Sequence, residues 1–227
     1  MMKFDIVTIF PNFFDSFKGE ALIARALKKK IISITAHNLR SYSNDKRGTV
    51  DDRPYGGGAG MVLMFEPIYK AVIKIKKRNV SSRIIAFNPK GKKFNENMAQ
   101  RLSKYDQLIF ICGRYEGIDE RVMREIANEE ISIGDYVLFG GEVPAMVVME
   151  SVTRLIPGAI AKQESVENES FRDVKGIGKE QLTKYIEYPH YTRPEVISVD
   201  KKKLRVPKVL LSGNHKKIDE WRNKHSK

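Results

Sequence analysis

Along the first 157 residues, short apolar runs alternate with stretches whose apolar side chains recur every three or four positions. Residues 3–10 (KFDIVTIF), 31–37 (IISITAH), 83–87 (RIIAF) and 107–111 (QLIFI) read as strands. The last two are apolar without alternation, as strands buried on both faces are. Residues 132–141 (SIGDYVLFGG) predict one or two more. Residues 12–30 predict one helix carrying Phe13, Phe17 and Ala21 at helical spacing, and residues 66–78 another, with Pro67 in its first turn and Ile68, Ala71, Val72 and Ile75 on one stripe. Residues 94–105, 118–127 (with Ile118, Val122 and Ile126 on one stripe) and 143–156 predict three further helices, the last stopped by Pro157-Gly158. Strands alternating with helices predict an α/β domain with a mainly parallel sheet.

After Gly158 the pattern fades. Residues 159–181 are polar and weakly periodic, the signature of a linker or functional loop. Residues 182–227 end in a predicted helix over 214–225. The expected division is therefore residues 1–160 as an α/β domain, 161–181 as a flexible linker and 182–227 as a small basic helical domain.

Charge changes this picture in one respect. The chain of 227 residues has a formal net charge of +13, and residues 176–227 hold 13 Lys/Arg against 6 Asp/Glu. A basic excess gathered at one end points to a polyanionic partner, nucleic acid before an anionic membrane surface. No run approaches the length of a membrane span, and no signal peptide is read at the N-terminus. The single cysteine, Cys112, excludes an internal disulfide and fits a reducing compartment. It reads as a packed thiol at the end of a buried strand.

The chemistry is expected at the carboxyl ends of the strands. Three predicted strands run into glycine-bearing loops: NPKG (88–91), CGRYEG (112–117) and IGDYVLFGGEVP (133–144). Their convergence at one sheet edge would make a site. A fourth unusual stretch, TVDDRPYGGGAGMV (49–62), has the length of a mobile lid. No dinucleotide fingerprint or P-loop occurs, and His37, His190, His215 and His225 show no zinc spacing. No residue is assigned as a metal ligand.

Five ordered motifs, RPYGGGAGM, CGRYEGIDER, SIGDYVLFGGE-PA, PHYTRP and VPKVLLSGNH-KI--WR, resemble the bacterial tRNA (guanine-N1)-methyltransferases of the SPOUT superfamily, over nearly the whole chain. The resemblance implies a cytoplasmic homodimer whose sites use both subunits and whose α/β sheet carries a deep trefoil knot. It implies methyl transfer from S-adenosylmethionine to N1 of guanosine 37 of tRNA, and it associates Mg2+ with catalysis. Carried over, the cofactor pocket would be Pro89, Gly91, Gly113, Tyr115, Glu116, Gly117, Ile133, Gly134, Tyr136, Leu138, Gly140, Gly141 and Pro144. Substrate contacts would come from Asp51, Arg154 and Ser165, with Arg154 orienting the guanine. Arg114, Asp119, Glu120 and Arg121 are expected as paired charges bracing the knot loop and the subunit interface. The family's general base, an aspartate in an Asp-Ser-Phe element, corresponds to Glu169 here, with Asp173 as a rival. The spacing from Glu169 to PHYTRP is longer than usual, and more helical sequence is expected after Trp221-Arg222. A ribose 2′-O-methyltransferase and a non-catalytic RNA binder remain as competing readings.

Overall fold

A computed structural model describes residues 1–160, 170, 171, 173–175, 182–200 and 202–226. The chain divides into two compact units, Met1–Ala161 and Lys162–Lys227.

The first unit is built on five parallel strands in the order β2-β1-β6-β5-β7. They are β1 (Met2–Thr8), β2 (Ile32–Asn38), β5 (Ser82–Lys93), β6 (Gln107–Ile111) and β7 (Glu129–Ser132). A two-residue pair, β3 (Asp51–Asp52) and β4 (Val62–Leu63), stands apart as an antiparallel hairpin. Period-two alternation splits the core between the two faces of the sheet. Phe4, Ile85 and Phe110 point to one face, and Val7, Ile84 and Ile109 to the other. The first face is covered by α2 (Ala21–Lys28), α4 (Glu96–Leu102) and α6 (Glu142–Arg154), and the second by α3 (Phe65–Ile75) and α5 (Glu120–Glu125). Helix α3 shows why the pattern works. Pro67 sits in its first turn, where a missing N–H is harmless, and Ile68, Ala71, Val72 and Ile75 are all buried on one stripe.

Two elements differ from the sequence expectation. The helix expected over 12–30 is broken into a 3-10 turn (Pro11–Phe14), α1 (Asp15–Gly19) and α2. The break falls where Glu20 is extended and Ala21 has φ 52°. It turns Phe14, not Phe13, into the core. The strand expected over 132–141 instead spans Glu129–Ser132. Residues 133–141 form a loop that exposes Tyr136, Val137, Leu138 and Phe139, the last at 94% of its maximum. Their β-propensity is overridden by tertiary pairing, because the end of this segment is drawn back to the loop after β6 by the Gly141 N to Gly113 O bond and the Arg114–Gly140 bridge.

The second unit holds β8 (Asp173–Lys175) paired with β9 (Leu182–Lys184), and β10 (Val196–Val199) paired with β11 (Lys202–Arg205), both antiparallel. It closes with α7 (His215–His225), started by Asn214, whose side chain accepts from Lys217 N. The expected helix is present, and strand pairs accompany it. Strand β8 falls within the stretch read as linker. Among the described residues no helix is long and apolar enough to cross a membrane.

Candidate active site

Strand β7 lies at the sheet edge beyond β5, yet the chain that leaves it returns to the end of β6. Gly141 N donates to Gly113 O at 3.0 Å, and Arg114 bridges Gly140 in antiparallel fashion. The 133–141 connection therefore crosses the carboxyl end of β5. Three loops meet there, residues 87–90, 113–118 and 131–141, around a cleft of about 420 Å³. Of the residues expected for the cofactor, Pro89, Gly113, Tyr115, Glu116, Gly117, Ile133, Gly134, Tyr136, Leu138, Gly140, Gly141 and Pro144 all line it.

Gly91 is the exception. It is absent from the cleft wall, and a Cβ on it would stand 2.6 Å from Glu130 C and Ile131 N. Its lack of a side chain lets β5 pass β7 at the irregularity between Phe87 and Lys92, so it acts in strand packing. Gly141 has a comparable constraint inside the cleft, because its Cβ would stand 2.7 Å from Cys112 Cα. Tyr115 adopts φ 60° without being glycine, a left-handed conformation that costs about 1–3 kcal/mol and is held by its neighbours.

Beneath the cleft sits an ion pair in which Glu142 had no role assigned from sequence. Glu142, the first residue of α6, has 0% exposure. Its Oε2 accepts from Arg114 Nε at 2.9 Å, and its Oε1 accepts from Thr8 Oγ1 at 2.7 Å. The Arg114 guanidinium also lies over the rings of Phe10 (4.7 Å) and Phe13 (5.7 Å). A buried carboxylate is tolerable only when paired in this way. The available signal was a glutamate between two glycines and an apolar helix. Burial, and next the Glu142 charge, push the Cys112 thiol well above its ordinary range, which makes it an inert packing group.

Three other charges of the 112–121 loop, Asp119, Glu120 and Arg121, also find partners. Asp119 caps α5, accepting from Arg121 N at 2.9 Å, and its second oxygen pairs with Arg121 Nη2 at 2.6 Å. Those hydrogen bonds from Arg121 hold the Asp119 carboxyl below its usual range despite partial burial. Glu120 faces Arg124 one turn on, at 3.7 Å.

Asp51 borders this region through Leu63, which pairs with both Asp51 and Ile118. Arg154 does not. It is the last residue of α6, whose first residue lies under the cleft, and twelve rises of 1.5 Å put them about 18 Å apart. An arginine side chain of the same chain cannot span that length. Ser165, Glu169 and the side chain of Asp173 lie outside the described residues. Among the described residues no three His, Cys, Asp or Glu side chains cluster as a metal site.

With this geometry in view, the sequence comparisons agree with one another. The model of the family described as tRNA (Guanine-1)-methyltransferase TrmD matches residues 2–227. A tRNA (guanine-N(1)-)-methyltransferase of Clostridioides difficile (strain 630) is 49% identical over 99% of this chain and 92% of its own length. Proteins of the same description from Carboxydothermus hydrogenoformans and Bacillus subtilis (strain 168) are 51% and 46% identical, each over 99% of this chain, and are themselves covered to 83% and 87%.

Proposed function

This chain belongs to the tRNA (guanine-1)-methyltransferase family, and from that premise we propose that it methylates N1 of guanosine 37 of tRNA, beside the anticodon, in the cytoplasm, using S-adenosylmethionine and so helping to maintain reading frame. The observation that carries this reading is the convergence of three strand-end loops on one glycine-walled cleft at the carboxyl edge of a parallel sheet. The cleft falls within the size range of small-molecule sites. Its wall combines bare glycine backbone at Gly113, Gly140 and Gly141 with the apolar Ile133, Leu138 and Pro144, a lining suited to an adenine and ribose.

Bound there, S-adenosylmethionine supplies an electrophilic methyl group. The chain's own residues must align guanine N1 with it, accept the N1 proton and offset the negative charge that develops on O6. Glu169 is the carboxylate assigned to the proton, with Asp173 as its rival. Arg154 is assigned to O6, where a guanidinium fork suits a developing oxyanion, and Asp51 and Ser165 to holding the base. The length of α6 supports a homodimer, because Arg154 meets a cleft only if a second copy supplies it. The crossing of the 133–141 loop over the end of β5 supports the trefoil knot. Residues 1–160 would be the catalytic domain, 161–181 a linker and 182–227 the tRNA-binding domain. The described residues offer no cluster of three His, Cys, Asp or Glu side chains to hold magnesium.

The test is methyl transfer to tRNA transcripts that carry or lack guanosine at position 37, followed by nucleoside analysis. 1-Methylguanosine appearing only with guanosine 37 supports the reading. A 2′-O-methylated product, or none, overturns it.

A further inference from the structure

We infer that Tyr55 is a stacking platform for an unpaired base of the RNA substrate, carried by the glycine-rich hairpin loop on the rim of the cleft; this rests on the tRNA reading above. Tyr55 is 101% exposed, so its ring makes essentially no contact within the chain. A single exposed aromatic is ordinarily unremarkable, but the surroundings of this one are specific.

The stem of its hairpin is fixed to the cleft loop by main-chain bonds. Glu116 N donates to Met61 O at 3.0 Å, Leu63 N to Gly117 O at 3.0 Å and Asp119 N to Leu63 O at 2.9 Å. The ring therefore rides on the same loop that lines the cleft. Beyond the stem the tip has almost no side chains with which to pack a ring. Gly56, Gly57, Gly58 and Gly60 all take positive φ, and no apolar side chain accompanies Tyr55 between Pro54 and Met61 apart from Ala59. Such a tip cannot bury its tyrosine against the chain, so the ring is presented outward.

Two cations stand beside it: Arg53 is exposed two positions before it, and Arg121 lies within its electrostatic reach. An open ring among backbone-binding cations is the arrangement that holds unpaired bases, by stacking on the ring and by charge on the phosphates. An apolar protein partner would not call for the cations, and a purely electrostatic contact would not call for the ring.

The experiment combines methyl-transfer kinetics at saturating S-adenosylmethionine with tRNA binding by fluorescence anisotropy, for Tyr55→Ala, Tyr55→Leu, Tyr55→Phe and Tyr55→Trp. Loss of one stacked base is expected to weaken tRNA binding and raise KM for tRNA in Tyr55→Ala and Tyr55→Leu on the order of 10- to 100-fold. Tyr55→Phe and Tyr55→Trp should stay near wild type, and cofactor affinity should be unchanged in all four. The salt slope of binding should be preserved in Tyr55→Ala and reduced in Arg53→Gln, since only the arginine neutralises phosphate. Normal tRNA affinity in Tyr55→Ala overturns the inference. So does a Tyr55→Leu indistinguishable from Tyr55→Phe, or a Tyr55→Ala that changes oligomeric state by light scattering. If the wild type binds tRNA but forms no 1-methylguanosine, the catalytic reading fails while the anisotropy series still decides the role of Tyr55. If it does not bind tRNA, both fall.

Discussion

The two units are held together by different forces. In Met1–Ala161, strands β1, β5 and β6 place side chains such as Phe4, Ile85 and Phe110 at zero exposure between two helical layers. In Lys162–Lys227 no described side chain is buried. What gathers its C-terminal part is rings and cations. Trp221 stacks on His225 at 4.1 Å and meets Tyr188 and Tyr191 edge-on, and Arg222 lies over Tyr188 at 5.0 Å. Hydrophobic burial stabilises the first unit without any partner. The second gathers most of its positive charge on exposed side chains, so it gains most from a polyanion that screens them. The proposed chemistry follows the same division, with the cleft in the well-packed unit and many exposed basic side chains in the lightly packed one.

The largest expected effect separates the two directly. Phe110 packs against Phe4 and Phe87 at 6.0 and 5.5 Å between ring centres, so Phe110→Ala should cost about 3–5 kcal/mol in denaturant unfolding. Trp221→Ala removes ring contacts worth about 0.5–1.5 kcal/mol each and should leave the main unfolding transition in place while weakening tRNA binding. Comparable loss of global stability in both variants would erase the contrast.

Next comes Glu142→Gln. It leaves the Arg114 guanidinium without its charge partner inside the stronger unit, and a hydrogen bond to a charged group contributes about 1.5–3 kcal/mol. Calorimetry should show weaker cofactor binding together with lower thermal stability, because the pair anchors both Gly113–Arg114 and the start of α6. Unchanged binding would detach the ion pair from the cleft.

On the basic side, replacing exposed Lys202, Lys203 and Arg205 of β11 by glutamine should reduce the salt slope of tRNA affinity by about 0.7 for each phosphate that is no longer neutralised, with no effect on cofactor binding. An unaltered slope would place the RNA-binding charge elsewhere.

The smallest effect is a pH dependence of the first unit. Burial alone would raise the Glu129 carboxyl, but hydrogen bonds from Arg101 (2.6 Å) and Arg83 (2.8 Å) outweigh it and hold the group below its ordinary 4.5. A depressed folded-state pKa contributes stability above pH 4.5 that is lost as the pH falls through the lower folded value. Glu129→Gln should therefore flatten the acid limb of a stability–pH profile and leave the units' contrast intact at neutral pH.

What the sequence determined by itself was whatever neighbouring residues decide. The buried runs became β1, β5 and β6, the stripe through Ile68 and Ile75 became α3, and Asn214 opened α7. The strand-end glycine loops were also legible, since glycine-rich turns after apolar runs are local signals. The tertiary structure alone decided the rest. It broke the 12–30 helix at Glu20 and Ala21 so that Phe14 could reach the core. It drew 133–141 back across the end of β5 to Gly113 instead of into the sheet, and set Gly91 against the backbone of Glu130 and Ile131 in β7. It buried Glu142 against Arg114 and Thr8, partners 28 and 134 positions away. It set Arg154 a helix length from the cleft. Each of these depends on which distant segments meet, and a pattern with a period of two or 3.6 residues reports only which face of an element is apolar, not what that face will touch.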